Sequence, residues 1–228
     1  MVVRLKDTEV AFPPCHTAST DPDGLLAIGA KLTPEWLIFA YKNGIFPWFN
    51  DDDSEILWWS PTERAVMVPG EMKVSKSLQK TLRTENFEIK ADHNFNEIIN
   101  QCAASRNLNS DTWITKNMIG AYCQLHKLGL SHSIEVYEDG NLVGGLYGVA
   151  IGKIFCGESM FHLRRDASKV AFYFLQQYLM KQEYDLIDCQ IMNPHLQSLG
   201  AHTISRDEFL TKLSVNSNKA TNHKKWSM

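Results

Sequence analysis

Apolar residues recur along the chain with two periods, and each period predicts a different kind of element. Spacings of three and four predict amphipathic helices, because such positions share one face of a helix. Start and stop signals bound several of them, such as Thr33-Pro34 before the first helix and Gly44 after it. The predicted helices cover residues 33–44, 74–84, a segment starting at Asn94 with Glu97 as its capping box, 115–129, and a segment capped by Asp166.

The centre of the chain shows strand-like segments separated by short turns. Ser133–Tyr137, Leu142–Ala150 and Lys153–Phe161 are separated by a Glu-Asp-Gly-Asn turn and an Ile-Gly turn, which predicts an antiparallel meander. A further strand is predicted over Leu186–Ile191. Helices interleaved with a mixed sheet predict an α/β (α+β) fold.

The first part of the chain differs from the rest in its residue pattern. Two aromatic, proline-punctuated segments, 45–49 and 57–61, flank an acidic loop at 51–55. We therefore predict a small N-terminal domain over residues 1–63 and a second domain over 64–228. Residues after about 214 are mostly polar, and we expect them to fray.

Composition excludes several classes of protein. The chain has 228 residues, of which 44% are apolar, and no apolar run approaches the ~20 residues that span a bilayer. The N-terminus lacks an apolar stretch of signal-peptide length, so we expect a cytoplasmic protein without a membrane anchor. Five scattered cysteines without a Cys-x-x-Cys pair argue against a disulfide framework or a zinc site, and we expect no metal.

The net charge of −3 counts against a general affinity for nucleic acid, since phosphate binding normally leaves a basic footprint. One local candidate is a basic stripe, Lys73, Lys76, Lys80 and Arg83, whose spacing places it along one helix face. Further candidates for the same basic patch are Lys116, Arg164, Arg165 and Lys169. Such a stripe is usually only a solvated face, so the charge pattern alone does not decide.

Eight short blocks, in order along the chain, resemble the leucyl/phenylalanyl-tRNA–protein transferase family. The blocks are 22–27 (PDGLLA), 44–49 (GIFPWF), 58–61 (WWSP), 112–114 (TWI), 132–135 (HSIE), 144–149 (GGLYGV), 157–161 (GESMF) and 186–190 (LIDCQ). Any one block is weak, whereas eight in register cover nearly the whole chain. The resemblance implies a small N-terminal domain beside a domain like the GCN5-type acetyltransferases.

The resemblance also implies an activity. Members of the family transfer Leu, Phe or Met from aminoacyl-tRNA to the α-amine of proteins that begin with Arg or Lys, which marks those proteins for degradation (the N-end rule). The aminoacyl ester is already activated, so the enzyme has to hold ester and amine together, accept a proton and stabilise the oxyanion. We accordingly expect no cofactor.

Asp188 and Gln190 are the catalytic residues that the resemblance implies. Two residues apart on a strand, they are predicted to project from one face. In the family, the aspartate is proposed to polarise the glutamine, which takes the proton from the amine. A neutral amide is an acceptor rather than an effective base, so we expect Gln190 to orient the amine while Asp188 supplies negative charge.

Substrate-binding residues follow from the same blocks. Glu158 and Asn193 match the acceptor site, where a carboxylate suits a basic N-terminus through a charge-assisted hydrogen bond. Leu146, Met160 and Ile187 match an apolar aminoacyl pocket. Trp48 and Trp113 match tryptophans that stack on the 3′ end of tRNA, the usual way to read an unpaired base. Without the resemblance, Leu146, Met160 and Ile187 would be assigned to the core and Glu158 to the surface. For the two tryptophans, an ordinary buried position would be about as probable as stacking on tRNA.

Two other functions stay open at this point. The first is an acetyl-CoA-dependent acetyltransferase, although Gln197 to His202 misses the pyrophosphate-binding turn of that class at its last position. The second is a noncatalytic module that binds tRNA or basic N-termini. A peptidoglycan-type aminoacyl-tRNA transferase has closer chemistry, but the N-terminal Trp and Pro blocks do not suggest one.

Overall fold

The computed structural model describes residues 2–107, 112–219 and 224–228 of the chain, which form two β-sheets flanked by helices. The first sheet has the strand order β1-β2-β4-β3, and the second has the order β11-β5-β10-β9-β8-β7-β6. The strands are β1 (Val3–Leu5), β2 (Leu25–Gly29), β3 (Phe46–Pro47), β4 (Leu57–Trp59), β5 (Glu63–Met67), β6 (Glu88–Ala91), β7 (Ser131–Glu138), β8 (Asn141–Ile151), β9 (Ile154–His162), β10 (Leu186–Gln190) and β11 (His202–Ser205). The helices are α1 (Pro34–Lys42), α2 (Lys76–Thr84), α3 (Phe95–Asn107), α4 (Lys116–Lys127), α5 (Ala167–Lys181), α6 (Pro194–Leu199) and α7 (Arg206–Asn216).

The predicted central meander is confirmed as β7, β8 and β9, which pair antiparallel in sequence order. The β7–β8 turn holds Asp139 and Gly140 at φ values of 50° and 77°, the left-handed conformation that a tight hairpin needs. The next strand, β10, pairs parallel with β9 and antiparallel with β5. The sheet is therefore mixed, and the predicted α/β fold class is confirmed.

Most predicted helix starts lie where the side chains suggest. Thr33 and Thr115 accept hydrogen bonds from the backbone N–H groups of residues three positions later, as N-caps do. Asn94 Oδ1 likewise accepts from the N–H of Glu97, at 3.4 Å. Asp166 differs from the prediction. It precedes α5 at a φ of 62°, and its carboxylate accepts a hydrogen bond from the ammonium of Lys169 instead of capping the helix.

Helices cover the second sheet on both faces. One hydrophobic cluster joins α1, α3, α4 and α7 to the sheet, and a second joins α2 and α5 to it. The first cluster also contains Leu26 and Trp58 of the small sheet together with Val66 of β5. The two sheets thus share one core, and the domain boundary near residue 63, between β4 and β5, stays a prediction.

The C-terminal end corrects the expectation of fraying after residue 214. Helix α7 continues to Asn216, and Trp226 is only 2% exposed. Its indole stacks on the ring of His132 with 4.0 Å between centroids, and its backbone N–H donates to Asp92 Oδ2 at 2.7 Å. The rings of Phe155 and Tyr178 lie alongside it. One tryptophan in an otherwise polar segment forms no periodic pattern, so the sequence did not predict that Trp226 packs in the core.

Among the residues that the structure describes, no helix is both long enough and apolar enough to cross a membrane.

Replacing Trp226 with alanine tests whether the C-terminal end contributes to the core. We expect Trp226→Ala to lower the free energy of unfolding by about 3–5 kcal/mol, the usual loss for a large buried aromatic side chain. Urea denaturation would measure it. Met228→Ala, two positions further along and 49% exposed, is the matched control and should leave stability unchanged. Equal effects of the two substitutions would show that Trp226 is not docked in solution.

A candidate active site between two separating strands

A cavity of about 1120 Å³ lies where β9 and β10 part from each other. Their parallel pairing runs from Leu186 opposite Ile154 to Asp188 opposite Cys156, after which β9 continues to His162 while β10 ends at Gln190. The separated strand ends leave a cleft between them. Its lining includes every acceptor and aminoacyl-pocket residue predicted from the sequence: Leu146, Glu158, Met160, Ile187 and Asn193.

One wall of the cavity is apolar. Leu146 of β8 lies directly opposite Met160 of β9, and Ile187 lies beside Phe155 on the neighbouring strand. Phe172 and Leu175 of α5 complete this wall. The Phe155 ring lies against Gly148, where any Cβ would come within 2.5 Å of the ring, so only glycine fits. This wall suits a flexible apolar side chain, with Met160 as its deformable part.

Glu158 lies at the polar end of the cavity and is only 8% exposed. It sits at an irregularity in β9, since Ser159 pairs with Tyr147 and Gly157 with Gly148, leaving Glu158 without a partner on β8. Such bulges re-aim side chains beside active sites. Burial, followed by the nearby charge of Asp188, raises the pKa of Glu158 from 4.5 to about 7, against the opposite effect of its hydrogen bonds.

Three donors hold the Glu158 carboxylate. Tyr41 of α1 donates to Oε1 at 2.7 Å, and Tyr122 of α4 donates to Oε2 at 3.1 Å. The side-chain amide of Gln190 donates to Oε1 at 2.8 Å. The two tyrosine oxygens also lie close to each other, but each hydroxyl has a single proton, which it donates to the Glu158 carboxylate. Burial raises the pKa of both tyrosines well above its usual value, so both stay neutral donors.

Asp188 is fully buried in an ion pair with Arg64 of β5. Arg64 Nε donates to Oδ1 at 2.8 Å and Nη2 to Oδ2 at 2.7 Å, a bidentate geometry. The remaining guanidinium nitrogen, Arg64 Nη1, donates to the backbone carbonyl of Gly44 at 3.0 Å. The rings of Phe46 and Phe209 lie on the guanidinium, with centroids 4.8 and 4.5 Å from Arg64 Cζ.

Asp188 and Gln190 meet through the backbone, which differs from the predicted arrangement on one strand face. The register against β5 shifts between them, and Gln190 has a φ of 62°. The backbone N–H of Gln190 donates to Asp188 Oδ1 at 2.9 Å, whereas its side chain reaches Glu158. The two side chains therefore have separate partners. Their catalytic roles stay predictions.

The tryptophans and Asn193 lie at the mouth of the cavity. Trp48 is 40% exposed and Trp113 is half-buried, and both contribute to the lining. Trp58, by contrast, is fully buried in the small sheet. Asn193 is exposed and caps α6, accepting a hydrogen bond from the N–H of Leu196 at 2.9 Å. The proposed contacts of these residues with substrate stay predictions.

The basic stripe is shorter on its helix than predicted. Helix α2 begins at Lys76 after the Ser75 cap, so Lys73 precedes it and only Lys76, Lys80 and Arg83 share the helix. All four basic residues are exposed. A second, smaller cavity beside α2 is lined by Lys80, Arg164 and Arg165 and shares Ser77, Arg165 and Asp166 with the main one. Basic groups thus continue from the main cavity to α2.

The near-miss to an acetyl-CoA turn lies at the wrong end of a helix. Gly200 follows α6 as its C-cap with a φ of 106°. Helix C-termini present carbonyl groups, whereas pyrophosphate is bound by the N–H groups of helix N-termini. The segment from Gln197 to His202 therefore gives no support to acetyl-CoA binding.

Sequence reasoning missed three residues of this site: Arg64, Tyr41 and Tyr122. The one available signal for Arg64 was its position directly before the apolar run Ala65–Val68, and its partner lies far along the chain. The tyrosines carried no such signal. Both occupy positions on the apolar faces of helices, where a tyrosine is normally a core residue.

Comparison with known proteins gives a consistent set of relatives. The profile of a family described as Leucyl/phenylalanyl-tRNA protein transferase matches residues 66–214, and that of its N-terminal domain matches residues 30–62. A protein of Idiomarina loihiensis named leucyl/phenylalanyl-tRNA–protein transferase is 50% identical over 94% of this chain and 91% of its own length. One of the same name from Shewanella baltica is 53% identical over 95% of this chain and 91% of its own length.

Solved structures that resemble the chain are distant in sequence. FemX aligns with a TM-score of 0.49 and 8% identity over 75% of this chain and 66% of FemX. A GCN5-related N-acetyltransferase from Kribbella flavida aligns with a TM-score of 0.40 and 11% identity, over 74% of this chain and 60% of that chain. These two structures say nothing about the substrates of this chain.

Replacing Arg64 tests the buried ion pair. Arg64→Met leaves the Asp188 charge buried without its partner, and we expect a loss of about 3–5 kcal/mol in unfolding free energy. Adding Asp188→Asn removes the stranded charge, so the double variant should be more stable than Arg64→Met alone. Arg4→Met, at the exposed Arg4–Glu55 pair, is the control and should unfold like the parent. An Arg64→Met variant as stable as the control would contradict the pairing.

Proposed function

The chain belongs to the leucyl/phenylalanyl-tRNA–protein transferase family, and from this we propose that it transfers Leu, Phe or Met from aminoacyl-tRNA to the α-amine of proteins that begin with Arg or Lys. The observation that carries the proposal is the single cavity, which combines an apolar wall with a buried carboxylate and an aromatic mouth. Each part matches one requirement of the reaction. We further propose that the transfer marks proteins for degradation in the cytoplasm.

In the proposed complex, the aminoacyl side chain lies against Leu146, Met160 and Ile187. The apolar character of this wall favours an apolar side chain, and the flexible thioether of Met160 can adapt to Leu, Phe and Met alike. The ester carbonyl then lies towards the polar end, near Gln190. The terminal base of the tRNA stacks on Trp48 or Trp113 at the mouth.

The acceptor approaches from the polar end. Glu158 accepts a hydrogen bond from the N-terminal Arg or Lys of the acceptor, and Asn193 lies at the same rim. The side-chain nitrogen of Gln190 donates to Glu158, so its side-chain oxygen can accept a hydrogen bond from the attacking amine. Holding ester and amine together in this way supplies much of the acceleration that aminolysis of an activated ester needs.

Transfer of labelled leucine and phenylalanine from charged tRNA to a peptide beginning with Arg tests the proposed function directly. We expect product with the free peptide and none with the same peptide acetylated at its N-terminus, because acetylation removes the nucleophile. A peptide beginning with Asp tests the preference for a basic residue. Absence of transfer while the tRNA ester is intact would favour a binding module instead. Acetyl transfer from acetyl-CoA would favour the acetyltransferase.

Charge reversal on α2 tests the proposed contact with tRNA. We expect Lys76→Glu and Lys80→Glu to weaken tRNA binding and to flatten its salt dependence by about one in log–log slope per lost phosphate contact. Fluorescence anisotropy across a salt series would measure both effects. Lys212→Glu, on the exposed face of α7, makes the same charge change away from the cavity and should bind as the parent does. Equal effects at Lys76 and Lys212 would remove the stripe from the proposed interface.

A further inference from the structure

Amide formation by the proposed reaction requires a group that takes a proton from the attacking nitrogen. The nitrogen of a neutral amine becomes positively charged as it bonds to the ester carbonyl, and collapse to the amide requires loss of one N–H proton. The leaving ribose oxygen needs a proton at the same stage. This question rests on the proposed function and goes beyond it, because it concerns which side chain carries the proton.

Gln190 is not that group. An amide side chain is a hydrogen-bond acceptor with negligible basicity, so it orients an amine without removing its proton. Its nitrogen is already committed as a donor to Glu158 Oε1 at 2.8 Å. That contact also fixes which way the amide points, since a carboxylate accepts and does not donate.

Asp188 is also unsuited to the task. Its carboxylate is 0% exposed and is not among the described residues that line the cavity. Both oxygens accept from Arg64, and Oδ1 accepts a further bond from the backbone N–H of Gln190. Its negative charge is balanced by the guanidinium at hydrogen-bond distance. The contact to Gln190 holds a residue at a φ of 62°, which is a positioning role.

Glu158 has the access and the environment that a proton acceptor needs. It lines the cavity, and its three donors are neutral groups on three different elements: Tyr41, Tyr122 and Gln190. Other titratable groups interact electrostatically with Glu158 or with its tyrosine donors. They are Asp188, Cys156, Tyr147 and, through Asp188, Arg64. No cation is hydrogen-bonded to Glu158 among the described residues. Burial raises its pKa to about 7, which is close to the ideal for a base working near neutral pH.

We infer that Glu158 accepts the proton of the attacking amine, while Arg64 and Asp188 act as a positioning pair that holds Gln190. The neutral α-amine bonds to the ester carbonyl carbon, and one N–H proton passes to a Glu158 carboxylate oxygen. As the carbonyl re-forms, the C–O bond to the ribose breaks, and the proton on Glu158 passes to the leaving ribose oxygen. One proton moves from nitrogen to oxygen, and Glu158 ends as it began.

The test is the pH dependence of kcat/KM for an Arg peptide at saturating charged tRNA. At saturating tRNA this quantity reports ionisations of the tRNA-bound enzyme and of the free peptide. Below about pH 6 two groups must lose a proton, Glu158 and the α-amine with its pKa of about 7.7–8.0, so log kcat/KM should rise with a slope of about two. In Glu158→Gln only the amine titrates and the slope should fall to about one. At pH 8, kcat of that variant should drop by about 10²–10⁴-fold.

Four variants separate Glu158 from its neighbours. Asp188→Asn and Arg64→Lys should lower kcat while keeping the slope of about two, because they displace Gln190 without removing the base. His162→Asn and His195→Asn replace the two histidines that line the cavity, and they too should keep that slope. The inference is overturned if Glu158→Gln keeps the slope of two, or if any of the four other variants abolishes it.

A second measurement covers the case in which a variant loses activity for structural reasons. A carboxyl with a raised folded-state pKa stabilises the fold below its unfolded pKa, and this contribution is lost as the pH rises through the folded value. The unfolding free energy of the parent should therefore fall relative to that of Glu158→Gln between about pH 4.5 and pH 7. No such difference would overturn the inference. Absence of transfer by the parent at any pH rejects the proposed function, whereas transfer with an unchanged slope in Glu158→Gln rejects only the inference.

Discussion

The ion pair between Arg64 and Asp188 joins several elements that are distant in sequence next to the candidate site. Arg64 belongs to β5 and Asp188 to β10, two adjacent strands of the large sheet. The same guanidinium donates to the Gly44 carbonyl, at the end of the helix that belongs to the small N-terminal part, and lies against the ring of Phe209 in α7. A buried ion pair is tolerated only when further hydrogen bonds satisfy its remaining donors and acceptors. Here the Gly44 carbonyl and the Gln190 N–H do so, and the bond from Gln190 holds the backbone of that residue beside the cavity.

The buried carboxyl group of Glu158 is stabilised differently from that of Asp188. Among the described residues no guanidinium is bonded to it, and its hydrogen-bond donors are neutral groups. Hydrogen bonds to a carboxylate lower its pKa, yet the combined effect of burial and of the charge on Asp188 is larger, and the pKa rises to about 7. Such a group destabilises the fold at neutral pH relative to an ordinary glutamate. Two carboxylates on neighbouring strands thus have different partners: Asp188 pairs with a guanidinium, whereas Glu158 accepts from neutral donors at the cavity.

Regular periodicity made much of the fold predictable, and departures from it explain what was missed. The meander of β7 to β9 and the helices after Thr33 and Thr115 follow from local patterns that need no distant partner. The predicted pocket residues share one cavity because they lie on regular strand segments, although their roles are untested. Glu158 and Gln190 instead occupy irregular strand positions, where alternation no longer gives the side-chain direction. The pairing of Arg64 and the docking of Trp226 depend on contacts far apart in sequence, which a local pattern does not encode.

The distribution of charge matters more than the net charge of −3 for the proposed contact with tRNA. Exposed charges separated by more than about 8 Å are largely screened at physiological ionic strength, so a polyanion responds to the nearest groups rather than to the sum. The acidic segment at 51–55 has some of its charge occupied locally, since Glu55 pairs with Arg4 and Asp52 accepts from the N–H of Asn117 at the start of α4. Lys80 of α2 lines the smaller cavity, which adjoins the main one, together with Arg164 and Arg165, which pair with Glu138 and Asp166. In the proposed complex, a phosphate backbone lying along α2 would meet the exposed side chains of Lys76, Lys80 and Arg83 before it reaches the apolar wall of the main cavity.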